Sequence, residues 1–154
     1  MAPCCKPTTG SGSDAMRFDL PEGLKLVHEM RIPVRWGDLD AMGHVNNTIY
    51  FRYFESLRIE WLMKMGAEPN PEGVGPVMAN GFCNFIRQIE YPGEIVARHY
   101  VAKPGAKSLD TYFTLSMADT PDLISANGGA TLVWLDFPNK KTVALPDDLR
   151  AACS

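Results

Sequence analysis

Two carboxylates, an imidazole and two carboxamides fall within the ten-residue run Asp38-Leu39-Asp40-Ala41-Met42-Gly43-His44-Val45-Asn46-Asn47. An ionised carboxylate can attack a carbonyl carbon or take a proton from water. An imidazole titrates near neutrality and can act as a base or orient a substrate, although a single histidine in a turn more often makes local hydrogen bonds. Asp38 and Asp40 are two residues apart and would share one face of an unbroken strand, so spacing alone does not choose between them. A lone aspartate between glycines commonly does no more than close a turn.

The elements that must hold this run can be read on either side of it. Residues 27–36 are rich in apolar and β-branched types and predict a strand, while Gly37 and Gly43 bracket a turn. From Tyr50 onward, Tyr53, Phe54, Leu57, Trp61 and Met65 follow the i, i+3, i+4, i+7 spacing of one helix face, with Arg52, Glu55, Ser56 and Glu60 on the other. Asn46 or Asn47 suits the N-cap, since a short amide accepts a hydrogen bond from a first-turn N–H. The positive end of that helix would keep a carboxylate folded back toward it ionised, and an N–H left free there could hold an oxyanion.

Downstream, a Pro- and Gly-rich connection over residues 66–75 is followed by turn signals at Pro92-Gly93, Pro104-Gly105, Thr120-Pro121-Asp122 and Pro138-Asn139, which mark off five extended stretches. The clearest is 108–117, where Leu109, Thr111, Phe113, Leu115 and Met117 alternate with more polar residues, the period of a half-buried strand. Short links favour antiparallel neighbours. One early amphipathic helix then leaves an α+β arrangement in which a curved antiparallel sheet wraps around that helix. A last short helix is expected over residues 147–152.

At 154 residues and 45% hydrophobic content the chain suits one domain, with residues 1–26 as a disordered tail and 27–154 as the folded unit. A net charge of −3, from 15 basic and 18 acidic residues, gives no general attraction for nucleic acid or an anionic membrane. No window approaches the about 18 uninterrupted apolar residues of a membrane span, and no signal-peptide core opens the sequence, so a soluble cytoplasmic protein is expected. Cys4, Cys5, Cys83 and Cys153 lack a metal-ligand spacing and are expected as free thiols.

The run from Asp38 to Asn47, followed by Tyr50, Glu55 and Arg58, resembles the hotdog-fold acyl-CoA thioesterases of the 4-hydroxybenzoyl-CoA thioesterase type. The likeness covers residues 29–149, with weaker echoes at Tyr91-Pro92, at Gly105-Ala106-Lys107-Ser108 and from Lys141 to Pro146. It implies the hotdog fold, a site between subunits, and hydrolysis of an acyl-CoA without metal or cofactor. It assigns catalysis to Asp40 and the polarising backbone N–H to Asn47, and leaves Asp38 structural. His44 joins them in fixing the turn or in the chemistry itself. Asn46, Tyr50, Phe54 and Phe85 become candidates for contact with substrate, and Lys107 and Ser108 for the nucleotide phosphates of coenzyme A.

Family members carry several basic residues in that loop, whereas this chain has only Lys103 and Lys107, so Arg87, Arg98, Lys140 or Lys141 can contribute instead. Glu55 and Arg58 are expected to be structural, although another branch of the family uses a helix acid in catalysis. Two other functions remain open. One is an acyl-thioester hydratase or dehydratase of the same fold, which would employ His44 with an acid; the other is a non-enzymatic acyl-CoA-binding module. A homo-oligomer, dimer or tetramer, is expected, because one helix in a single curved sheet leaves an edge and an apolar face uncovered.

Overall fold

The structure, a computed structural model, describes residues 18–154. Residues 1–17 of the expected tail, with Cys4 and Cys5, lie outside the described residues. Phe18 packs its ring against Phe82 (centroids 5.0 Å apart), and its carbonyl accepts a hydrogen bond from Asn84 Nδ2 at 2.8 Å. Strand β1 is Lys25–Pro33.

β1 stops three residues short of the predicted Trp36 because Asp38 closes a turn that looks like strand in sequence. Its Oδ2 accepts from Arg35 N at 3.0 Å, winding Trp36–Asp38 into one 3-10 turn. After that turn comes α1, Asn47–Lys64, whose buried residues are Tyr50, Tyr53, Phe54, Leu57, Trp61 and Leu62. The predicted inner face is there, shifted at its end from Met65 to Leu62. Gly66, at φ 62°, ends the helix. Its N–H reaches Met63 O at 3.1 Å, and Ala67 N reaches Leu62 O at 2.9 Å, so the left-handed glycine satisfies carbonyls the last turn would orphan.

The five expected stretches are β2 (Val74–Phe85), β3 (Glu94–Val101), β4 (Ser108–Met117), β5 (Ile124–Asp136) and β6 (Lys141–Thr142), and α2 (Asp147–Cys153) closes the chain. The sheet order is β1-β3-β4-β5-β2 with β6 added on β5, and every pairing is antiparallel. The curved sheet wraps α1 in the hotdog arrangement. In β4 the alternation holds for Leu109, Thr111, Phe113 and Leu115, which are buried. Thr114 and Ser116, expected on an open face, are buried as well; Arg98 is the β3 partner of Thr114, and its long side chain bridges to Glu29 (2.7 Å).

One core cluster lies beside the first half of α1, including Val34, Val45, Tyr50, Phe54, Ile89 and Phe113. A second holds Trp61, Leu62, Leu109, Leu132, Trp134 and Leu149. Gly128 lets the first close up: a Cβ there would stand 2.6 Å from Phe54 Cε2 and collide with the Phe82 carbonyl. Phe54 instead stacks on Phe113 at 4.9 Å and 16°.

Candidate active site

The acid-bearing loop is a tight return built by backbone bonds. Leu39 and Val45 form an isolated antiparallel bridge, Asn46 N donates to Asp38 O (2.9 Å), and Asp40 N donates to His44 O (2.8 Å). Gly43 supplies the left-handed residue at φ 79°, and its N–H returns to Asp40 O at 3.1 Å. Buried Val45 ties the loop to the core through Val45 N to Ile89 O, 3.2 Å. A motif that reads as a list of polar residues is therefore a rigid pin with Asp40 near its tip.

The two acids have different surroundings. Asp38 Oδ2 accepts from Arg35 N and from Tyr53 Oη (2.8 Å), so this carboxylate joins the turn to the helix. Burial, and then the bond to Asp38, push the Tyr53 phenol well above its ordinary value. Asp40 is exposed; its Oδ1 accepts from Met42 N at 2.8 Å and His44 N at 3.4 Å, while its Oδ2 has no partner among the described residues. One oxygen is held and the other is available.

The helix start resolves the two amides. Asn46 is the N-cap, its Oδ1 accepting from Thr48 N (2.9 Å) and Thr48 Oγ1 (2.8 Å), and its carbonyl takes Ile49 N at 2.9 Å. Asn47 is the first helical residue, and among the described residues its N–H has no partner in the turn or loop. Asn46 thus uses its side chain on the cap and does not line the pocket beside it.

That pocket, about 370 Å³, brings together Asp40, His44, Asn47, Tyr50 and Phe85, all expected from sequence. Tyr50 meets Phe85 edge-on at 4.9 Å, and burial raises its phenol pKa, opposed by a bond at the Ile89 backbone and reinforced by the charges of Cys83 and Asp40. Met42, Ile86, Arg87 and Gln88 complete the wall. Of these, the sequence points to Ile86, with Phe82 and Phe85, as apolar pocket lining and to Arg87 as an alternative cation for coenzyme A; Arg87 is anchored by Nη1 to Ile124 O, 2.7 Å. Gln88 and Met42 carry no signal in sequence, because a loop residue joins a site through where the chain turns rather than through its type.

Three expected contacts lie elsewhere. Phe54 lines a separate cavity of about 200 Å³ between α1 and β2. Ser108 pairs with Val133, and Phe85 with Ala126, seven residues away along β5, or about 23 Å at 3.3 Å per residue. Lys107 and Ser108 are therefore at the far end of the sheet from Asp40, with Lys107 Nζ on Thr142 O (3.2 Å) and Thr142 Oγ1 (3.3 Å). Glu55 bonds Arg52, not Arg58. Among the described residues no three His, Cys, Asp or Glu side chains converge as a metal site, and no helix is long and apolar enough to cross a membrane.

Comparison with known proteins gives this geometry its family. The chain superposes on PA2801 of Pseudomonas aeruginosa, a candidate thioesterase, with TM-score 0.80 and 33% identity over 84% of this chain and 100% of that one. A Thermus thermophilus thioesterase, solved with coenzyme A and Zn, matches at TM-score 0.70 and 27% identity, covering 85% and 98%. The chloroplastic acyl-acyl carrier protein thioesterase ATL3 of Arabidopsis thaliana is 27% identical over 141 residues, 87% of this chain and 72% of that protein. The uncharacterised Bacillus subtilis protein YsmA is 28% identical over 83 residues, so the match spans 54% of this chain and only 56% of that relative's length. The sequence profile of the Thioesterase-like superfamily matches residues 34–153, from the strand end before the Asp40 loop to the final helix, and the chain belongs to that superfamily.

Proposed function

We propose that the protein hydrolyses acyl-CoA thioesters to a free carboxylic acid and coenzyme A, with Asp40 as nucleophile or general base. The observation that carries this reading is the pairing, in one pocket, of a carboxylate with one oxygen held and one free and a helix-start N–H, that of Asn47, with no partner in the loop. A thioester carbonyl placed between them would have its developing oxyanion at the Asn47 N–H and its carbon facing Asp40 Oδ2. As nucleophile, Asp40 forms a C–O bond, the C–S bond breaks, the thiolate leaves, and water then cleaves the mixed anhydride. As base, Asp40 takes the proton of one water, which attacks the same carbon. Both routes consume one water and release one thiol.

Coenzyme A as carrier is supported by the Thermus thermophilus relative, solved with it, and by Arg87 on the pocket wall. The Arabidopsis thaliana relative acts on acyl-acyl carrier protein, so the carrier needs a direct comparison. We place the protein in the cytoplasm, a reducing compartment in which Cys83 and Cys153, neither of them in a disulfide among the described residues, stay as thiols.

The test is thiol release from a panel of acyl-CoAs and from the same acyl groups on acyl carrier protein. Release from acyl-CoA supports the reading. Conversion of an enoyl-CoA without thiol would make the protein a hydratase, binding without turnover would make it a binding module, and release only from the carrier protein would change the substrate. In a single turnover in ¹⁸O water, label entering Asp40 marks the nucleophilic route with water cleaving the anhydride at the aspartyl carbonyl carbon, whereas attack at the acyl carbon labels only the product acid in either route.

A further inference from the structure

At the other end of α1 from the Asp40 loop, about 27 Å along an 18-residue helix, the chain leaves the helix through Gly66 and folds a loop over the end of β5. The loop is stiff. Pro69 and Pro71 fix their own φ, and Asn70 closes the turn after it, its Oδ1 accepting from Glu72 N (3.1 Å) and its carbonyl from Gly73 N (3.0 Å). Gly75 admits the loop against β2, since a Cβ there would stand 2.9 Å from Pro69 Cα. Between this loop, Trp134 and Pro146 lies a cavity of about 390 Å³, within the range of roughly 300–1,000 Å³ common to small-molecule sites. Only Val74 of its lining belongs to β2, as the first residue of that strand, so the cavity lies before exposed Val77 and Met78.

The lining is rich in acceptors and poor in donors. Pro69, Pro71 and Pro146 have no N–H, and the backbone N–H groups of Gly66, Ala67 and Trp134 are spent on Met63 O, Leu62 O and Lys107 O. The carbonyls of Gly66, Ala67, Glu68 and Pro69 accept no hydrogen bond among the described residues. Glu68 is exposed on the cavity wall, and no basic residue lines it. The helix adds charge of the same sign: its C-terminal end carries about half a negative charge, and Lys64, the basic residue of the last turn, is held on Glu60 at 2.9 Å. Val74, Trp134 and the proline rings make the rest of the wall apolar. A ligand that suits both parts donates hydrogen bonds, carries positive charge and has a hydrocarbon body.

We propose that this cavity binds a small organic cation, a primary ammonium on an apolar body of about one ring, with the ammonium at Glu68 and the loop carbonyls and the body against Trp134 and the prolines. An ammonium has donors and no acceptor, the complement of this lining. The carboxylate and carbonyls select against organic anions, and the apolar wall selects against bare inorganic cations. The site is separate from the Asp40 pocket, so the proposal does not rest on the hydrolysis.

The probe is 2-phenylethylammonium chloride, titrated calorimetrically into the full chain at constant ionic strength, with 2-phenylethanol, 3-phenylpropionate and ammonium chloride as controls. It should bind once per chain and more tightly than any control. Glu68 is exposed, so the fold accepts changes there. Glu68→Gln keeps the shape and removes the charge, and should weaken the probe about threefold to fivefold, the scale of an ion pair that water still reaches. Glu68→Lys brings an ammonium of its own to the carbonyls and should weaken the probe further. A second measurement places the ligand: in ¹⁵N spectra of the labelled chain the probe should shift the Trp134 indole resonance and leave that of Trp36, on the turn before Asp40, where it was. Affinity unchanged in either folded variant, a control that binds as well as the probe, a shift at Trp36 in place of Trp134, or no probe binding at all would overturn the proposal.

Discussion

Asp38 and Asp40 differ in how many lone pairs the fold has already used, and this separates their predicted phenotypes. Asp40→Asn keeps an oxygen for Met42 N but loses the charge that either route needs, so kcat should drop about a hundredfold or more with the fold intact. Asp38→Asn should leave kcat within several-fold and lower stability by about 1–2 kcal/mol, because the amide cannot serve both Arg35 N and the Tyr53 hydroxyl as well as a carboxylate does. Steady-state kinetics beside denaturant melts checks the pair, and the opposite assignment of phenotypes would show that the wrong acid was chosen. At the helix start, Asn47→Ala retains the backbone donor and should change turnover only modestly. Asn47→Pro removes it. Proline is tolerated at the first helical position, and Asn46 already has the extended ψ of 138° that a residue before proline requires. This variant should fold, by circular dichroism, and lose about a hundredfold in kcat, the scale of one oxyanion donor. Equal loss in the alanine variant would put the work on the side chain.

At the scale of elements, what was legible in the sequence is what periodicity controls. α1 and β4 show in the spacing of Phe54, Leu57 and Trp61 and of Leu109, Phe113 and Leu115, because a repeated burial direction imposes a repeated residue type. The end of β1 was not legible, since Asp38 as a strand residue and Asp38 as a turn closer differ only in a side-chain bond. Nor was the separation of Glu55 from Arg58, which is decided by a nearer competitor, Arg52. His99 belongs with these. It sits on β3 under α1, stacked on Phe113 (4.7 Å) and edge-on to Trp61 (5.0 Å), with both ring nitrogens unpartnered among the described residues. Burial first, then the charges of Arg58 and His28, lower its pKa from 6.5 to about 3. The unfolded chain then binds a proton that the folded chain refuses, so His99 costs stability as pH falls from 6.5 toward 3 and nothing above that window. His99→Phe should flatten the loss of stability between pH 7.5 and pH 4.5 relative to the parent, as read by denaturant midpoints. Parallel pH profiles would show that His99 is already protonated in the fold.

For the whole molecule the open question is what covers β2. Among the described residues this twelve-residue strand pairs with β5 alone, which leaves one edge unpaired, and Val77, Met78, Phe85 and the adjoining Ile86 are exposed on or beside it. A long apolar edge is a template for another strand, and symmetric pairing of two copies closes it. Light scattering at micromolar concentration should give the mass of a dimer or a tetramer, and Val77→Lys, which places like charges at such a contact, should shift that mass toward the monomer. A fully active monomer would contradict the expectation. The same pairing bears on Lys107, which one chain holds about 23 Å from the Asp40 pocket. If a second copy brings Lys107 to the nucleotide, Lys107→Ala should raise KM for acyl-CoA by several-fold and leave acyl-pantetheine, which lacks those phosphates, unchanged. Val77→Lys should then erase the difference between the two substrates, since the phosphate contact would depend on the pairing. Equal effects of Lys107→Ala on both substrates would leave Lys107 with the role its bonds to Thr142 already describe, holding β6 against the turn before β4.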